Sequence, residues 1–126
     1  MTTSAKLFLA AGGFAALAAV ALGAFGAHAL KTRVSAETLA VWHTGVEYHI
    51  YHSFGLLAVG VVAAQLPESM LLKWSGWLML AGIVLFSGSL YALALSGERW
   101  LGAITPVGGT AFLAAWALFV IAVLKT

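Results

Sequence analysis

The stretch from Glu47 to Gly55, EYHIYHSFG, holds most of the side chains in this chain that could do chemistry. It contains two of the four histidines, two of the three tyrosines and one of the four acidic residues. Imidazole nitrogens bind zinc, copper or iron, and a carboxylate can complete such a site. The same groups can instead form a hydrogen-bond network or hold a small ligand.

Helical spacing divides this stretch into two polar stripes. Residues three or four apart lie on one face of a helix, so His49 and His52 are neighbours, with Tyr48 beside them. The second stripe lies on nearly the opposite side and consists of His43, Glu47 and Tyr51. Which of the two stripes faces the interior of the protein stays open at this stage.

A metal or haem site would use His28, His49 and His52, with the first helix bringing His28 to the other two. The H-x-x-H spacing is a weak signal, because neither H-E-x-x-H nor E-x-x-H occurs in the chain. A buried hydrogen-bond network is the simpler alternative, and the sequence requires no cofactor. The chain has no cysteine and no visible nucleophile–base pair, so we expect a non-enzymatic protein.

The composition indicates an integral membrane protein. Hydrophobic residues make up 63% of the 126 residues and charged residues 8%, whereas soluble domains average roughly 45–50% and about 25%. The formal net charge is +2 and the basic residues are scattered. Membrane lipids are therefore the expected partners, and nucleic acid is not.

Four apolar segments predict an all-α fold, because a chain in lipid must satisfy its own backbone hydrogen bonds. Short loops then make neighbouring helices antiparallel, in one domain over residues 1–126. The predicted transmembrane helices, each near the ~20 residues that cross a bilayer, lie at about 6–30, 46–66, 70–96 and 105–125. The first segment also resembles a signal peptide, but its apolar stretch is longer than a usual signal core, so we expect a spanning helix.

An amphipathic helix is predicted at about 35–45, before the second transmembrane helix. Ser35 is its predicted N-cap, because a serine side chain can accept a hydrogen bond from a free backbone N–H at a helix start. This helix either lies on the membrane surface or continues directly into the transmembrane helix. Thr105 is the predicted N-cap of the last helix, with Pro106 in its first turn.

Four crossings place all four histidines, together with Tyr91 and Thr105, at the same membrane face. Ionisable groups in transmembrane segments are functional candidates by default. These residues come from the ends of predicted helices, so we expect them near the membrane interface and not at the middle of the bilayer.

Four motifs in order carry a resemblance to a known family: GAFGAHAL at 23–30, YHIYHSFGLLAVG at 48–60, LFSGSLYALALSG at 85–97 and ITPVGGTAFLAAW at 104–116. Together they resemble the family catalogued as domain of unknown function 423 (DUF423), whose members are small proteins of the bacterial inner membrane. The family is similar to a small eukaryotic transmembrane protein thought to be mitochondrial. The resemblance implies a multi-pass inner-membrane protein without an established activity. It favours Tyr48 and His52 over His49, which matches a more variable position.

These observations predict a polar pocket at one membrane face, to which His28, His52, Tyr91 and Thr105 would converge from four helices. We expect the pocket to bind a lipid, a quinone-like molecule or another small ligand, or to dock on a larger membrane complex; a homo-oligomer stays open. The alternative is a metal- or haem-binding redox or transport component. The predicted site residues are His28, Glu47, Tyr48, His52, Ser87, Tyr91 and Thr105.

Overall fold

The computed structural model describes residues 1–126 and contains helices and connecting turns, without β-strands. The predicted all-α class is therefore confirmed. Three helical segments are long and apolar enough to cross a membrane, namely Thr3–Thr32, Met70–Ser96 and Arg99–Leu124. The α-helices are α1 (Thr3–His28), α2 (Ala36–Gln65), α3 (Met70–Gly82), α4 (Gly88–Ser96) and α5 (Thr105–Leu124).

Side-chain caps and backbone geometry fix several of the helix ends. The Ser35 hydroxyl accepts a hydrogen bond from the Thr38 N–H at 3.1 Å, which confirms the predicted N-cap of α2. Gly97 ends α4 with a φ of 74°, in the left-handed region where a glycine avoids the strain of a Cβ atom. The prediction that Thr105 caps α5 is wrong, because the N-cap is Ile104 and no side chain caps this end.

α2 is a single helix of 30 residues, so the predicted amphipathic stretch is its first part. The chain thus takes the continuous form of the two alternatives. No proline interrupts α2. The glycine nearest the predicted junction between the amphipathic stretch and the transmembrane helix is Gly45, and it allows close helix packing and does not form a turn. A Cβ atom at Gly45 would lie 2.9 Å from the Tyr91 ring, so this glycine lets α4 approach α2.

α1 packs along α2, and α3 packs along α5. A Cβ atom at Gly12 would lie 2.9 Å from Leu57, and one at Gly26 would lie 2.6 Å from Trp42. These contacts run in opposite order along the two helices. The larger buried core includes Phe8, Leu56, Val59, Met79 and Phe112.

A π-helical turn at Ile83–Ser87 joins α3 to α4 without interrupting the helix. The Phe86 backbone in this turn lies against Gly108 of α5, where a Cβ atom would collide with it. The Ser87 hydroxyl donates a hydrogen bond to the Gly45 carbonyl of α2 at 2.7 Å. The turn is therefore in contact with both α2 and α5, and π-turns of this kind are frequent at functional sites.

Candidate functional site

His52 is the centre of the most developed polar arrangement in the structure. Its Nδ1 donates to the Tyr48 carbonyl at 2.6 Å, and the Trp116 Nε1–H donates to its Nε2 at 3.1 Å. A carbonyl oxygen only accepts and an indole N–H only donates, so the imidazole is neutral with its proton on Nδ1. Its ring also stacks on Phe112, with 3.4 Å between the ring centroids. Both nitrogens of His52 are therefore occupied by bonds within the chain.

A groove of about 590 Å³ opens beside His52, between α2 and α5. Most of its wall is aromatic, and the Tyr48 ring lies 4.6 Å from the Phe86 ring. The hydroxyls of Tyr48 and Tyr51 make no hydrogen bond within the chain, although both residues line the groove. The full lining is Tyr48, Tyr51, His52, Phe86, Pro106, Gly109, Thr110, Phe112, Leu113 and Trp116.

His52 lies level with the middle of the apolar helices. Its partner Trp116 is about 16 Å from the start of α5 and about 12 Å from its end, at a rise of 1.5 Å per residue. On the other side, Gly12 of α1 is opposite Leu57 and Gly23 is opposite Val46, so His52 is level with the middle of α1.

The sequence placed His52 closer to the start of its helix than the structure does. The prediction started the second transmembrane helix at about residue 46, but α2 begins at Ala36. His52 is therefore about four helical turns from the start of α2.

A second arrangement joins His49 of α2 to Tyr91 of α4. The Nδ1 atom of His49 and the Tyr91 hydroxyl oxygen are 2.8 Å apart, and His49 is buried. The Tyr91 ring packs on Trp42, with 4.7 Å between centroids. The Trp42 Nε1–H donates to the Leu22 carbonyl of α1 at 3.0 Å. Tyr91 thus pairs with His49 and belongs to a contact that holds α1, α2 and α4 together.

A third contact uses the other hydroxyl residues of the predicted pocket. The Ser89 and Thr105 hydroxyl oxygens are 2.6 Å apart and link α4 to α5. This bond occupies the Thr105 side chain that was predicted to cap α5. Ser87 is occupied by its bond to α2.

The structure therefore distributes the predicted site residues over several places. Tyr48 and His52 line the groove, whereas Ser87, Tyr91 and Thr105 form bonds between helices. His28 is exposed at the end of α1, and Glu47 is exposed on the outer side of α2. The convergence of His28, His52, Tyr91 and Thr105 on one pocket does not occur.

Sequence reasoning missed the aromatic residues of α5 that line the groove. Phe112 and Trp116 are four residues apart in α5 and share one helix face. An aromatic pair at this spacing, in a helix expected to pack near the histidines, was the sequence signal that could have identified these groove residues. Tyr51 was assigned to the opposite stripe from Tyr48, yet both reach the same groove because it is wide enough to include the edge of each stripe.

The structure brings no three His, Cys, Asp or Glu side chains close enough to hold one metal ion. His28, His49 and His52 thus do not form the three-nitrogen set of the metal hypothesis. A metal or haem iron at His52 would have to displace the Trp116 N–H or the Tyr48 carbonyl from its ring.

The helices and their apolar surfaces define a small, helical, multi-pass membrane protein. The sequence profile of the family described as "Protein of unknown function (DUF423)" matches residues 22–109, which is more than half of the chain. The chain therefore belongs to the DUF423 family, and the predicted resemblance is confirmed.

Relatives along almost the full length agree with this class. The chain is 51% identical to the UPF0382 membrane protein YwdK of Bacillus subtilis, over 95% of this chain and 98% of that protein. It is 47% identical to the UPF0382 membrane protein SSP2132 of Staphylococcus saprophyticus, with the same coverage. These relatives and the three apolar helices confirm the predicted location in a bacterial plasma membrane. No solved structure matches this fold.

Proposed function

We propose that the chain forms an antiparallel four-helix transmembrane bundle, in which α2 crosses the membrane together with the three apolar segments. We also propose that the chain binds a membrane-soluble ligand in the groove beside His52. The opposite order of contacts along α1 and α2 supports the antiparallel arrangement. The hydrogen bonds that join α2 with α1, α4 and α5 support a position for α2 inside the bundle.

The single observation that carries the ligand proposal is the combination of flat aromatic walls with two free phenol donors. A groove of about 590 Å³ has the size of a small-molecule site, which typically measures about 300–1,000 Å³. Aromatic side chains such as Phe86 pack favourably against another flat ring. The unpaired hydroxyls of Tyr48 and Tyr51 can donate to acceptor oxygens. These features fit a planar ring with carbonyl oxygens, as in a quinone-like molecule.

The location of the groove fits such a ligand as well. The groove extends along the outer surface of the bundle from Pro106 in the first turn of α5 to Trp116 near the middle of that helix, where a lipid-soluble molecule would enter sideways. His52 forms part of its wall and holds α2 to α5 through Trp116. Because both of its nitrogens are occupied, His52 shapes the site and does not transfer protons in this arrangement.

A groove-filling variant tests this proposal. A Cβ atom at Gly109 would lie 3.8 Å from the Phe86 ring, an ordinary contact, so the Gly109→Leu side chain can extend into the groove without a backbone clash. The matched control is Gly13→Leu, because Gly13 is exposed on α1 with no atom within 4 Å of a Cβ position.

The probe is a short-chain benzoquinone or naphthoquinone, titrated into purified protein while tryptophan fluorescence is followed. Trp116 lines the groove, so a bound quinone should quench its emission in a saturable way. We expect at least a tenfold weaker apparent affinity for Gly109→Leu and an unchanged one for Gly13→Leu. Equal, non-saturable quenching in all three proteins would contradict quinone binding. Mass spectrometry of an organic extract would then identify any other lipid-soluble ligand that occupies the groove.

A further inference from the structure

Glu47 is a carboxylate without a partner on the outer face of α2. It is exposed, and the side-chain hydrogen bonds of α2 involve other residues, so none reaches Glu47. His43, one turn before it, is also exposed and without a hydrogen bond. Ala40 and Thr44 are exposed on the same side of the helix. We call these four residues the outer face of α2.

The depth of this face makes Glu47 unusual, if α2 crosses the membrane as proposed above. Glu47 is five residues from His52, or about 7 Å along the axis, and His52 is level with the middle of the apolar helices. The neighbouring Val46 lies opposite Gly23 of α1, which is about 12 Å from Lys31, the nearest charged residue toward that end. Glu47 therefore lies within the apolar layer, on a surface that would otherwise meet lipid tails.

Charged side chains inside a membrane almost always face protein or a water-filled cavity, and they pair with one another. We propose that a second copy of this chain covers the outer face, with α2 packed against α2 of the partner in a parallel dimer. The Glu47 carboxylate accepts a hydrogen bond from the partner's His43, and twofold symmetry repeats the contact. This inference rests on the transmembrane position of α2 and is independent of the ligand groove.

Two features of the face support a second copy as the occupant. The face is self-complementary, because it carries one acceptor and one donor a single turn apart, and Cα–Cβ bonds tilt toward the helix N-terminus. The Glu47 side chain therefore leans toward the level of His43. Between them, Ala40 and Thr44 are small residues four apart, a spacing that allows two transmembrane helices to approach closely.

Single-cysteine cross-linking in native membranes tests the dimer. The chain has no cysteine, so each variant carries one thiol. Thr44→Cys places this thiol on the outer face at a position whose side chain is exposed. The matched controls are Val20→Cys on α1 and Val107→Cys on α5, which are 68% and 57% exposed and lie outside the groove. Oxidation by copper phenanthroline is followed by a non-reducing gel.

We expect most of the Thr44→Cys protein to migrate as a disulfide-linked dimer and both controls to stay largely monomeric. Adding Glu47→Gln to Thr44→Cys should lower the cross-linked fraction at least threefold. Equal cross-linking of all three variants, or none at Thr44→Cys, would overturn the proposal.

If Thr44→Cys does not form a cross-link, labelling with a membrane-impermeant maleimide distinguishes two reasons. A labelled Thr44→Cys thiol would mean that the outer face meets water and that the membrane position of α2 is also wrong. An unlabelled, uncross-linked thiol would overturn the dimer alone. Quinone binding measured on the same variants reports separately on the groove.

Discussion

The hydrogen bond between Trp116 and His52 should contribute measurably to stability, and Trp116→Phe removes it while retaining an aromatic ring. His52 is 5% exposed, so its Nε2 acceptor would be left without a donor in a buried position. A buried polar group without its partner costs about 1–3 kcal/mol in soluble proteins. Hydrogen bonds between membrane helices average about 0.6 kcal/mol, with a maximum near 1.7.

Because of its geometry, we expect the free-energy contribution of this bond to lie in the lower half of those ranges. Its length of 3.1 Å is near the long end of ordinary N–H hydrogen bonds, which extend over about 2.7–3.2 Å. We therefore expect Trp116→Phe to lower the free energy of unfolding by about 1 kcal/mol. Trp100→Phe is the control, because Trp100 is 63% exposed and makes no side-chain hydrogen bond; its effect should stay within about 0.5 kcal/mol.

A double-mutant cycle with His52→Phe isolates the bond from changes in packing. Reversible unfolding in mixed micelles, with far-UV circular dichroism as the readout, gives the free energy for each variant. The two substitutions should couple by about 0.6–1 kcal/mol, because either one alone already removes the bond. Additive effects within about 0.3 kcal/mol would refute the assignment of a stabilising role to this contact.

Three further predictions use unfolding in the same micelles. Gly108→Ala should destabilise the fold by about 1–3 kcal/mol, because its Cβ atom would collide with the π-turn backbone. Gly88→Ala has no atom within 4 Å and should be tolerated; equal effects would contradict this view of the packing. Tyr91→Phe should cost about 1 kcal/mol because it leaves His49 Nδ1 unpaired, and a neutral result would show that another donor replaces the hydroxyl. The Ser75 hydroxyl donates to the Ala115 carbonyl, which lies within α5 and still has a helical backbone partner when the serine is removed. Ser75→Ala should therefore lower the free energy of unfolding by only about 0.6 kcal/mol, and a loss above about 2 kcal/mol would contradict this.

Local sequence rules predicted much of the fold. Composition and segment length identified the membrane class, and the Ser35 cap marked the start of α2 correctly. These features depend on residues close together in the chain. The continuity of α2 through Gly45 was left open, because the reason for this glycine is the Tyr91 ring of another helix.

The partners of the histidines depend on how helices are rotated against each other, which spacing along one helix does not determine. Sequence reasoning favoured His52 with Tyr91, whereas the structure pairs His49 with Tyr91 and His52 with Trp116. Trp116 was overlooked because a tryptophan in an apolar run carries little polar signal, although its indole N–H is a hydrogen-bond donor.

The π-turn at Ile83–Ser87 has a consequence for variation within this segment. Along Met70–Ser96, α3 packs on α5 while α4 packs on α2, and the turn carries one more residue than an α-helical path would need. Deleting a single residue there would leave an equally apolar span with an unchanged hydropathy profile. It would rotate α4 by about 100° relative to α3 and turn Tyr91 and Ser89 away from their partners. Contacts with two different helices therefore do not allow the length of this segment to change by even one residue. A gap at this place in a sequence alignment would indicate a change in helix pairing.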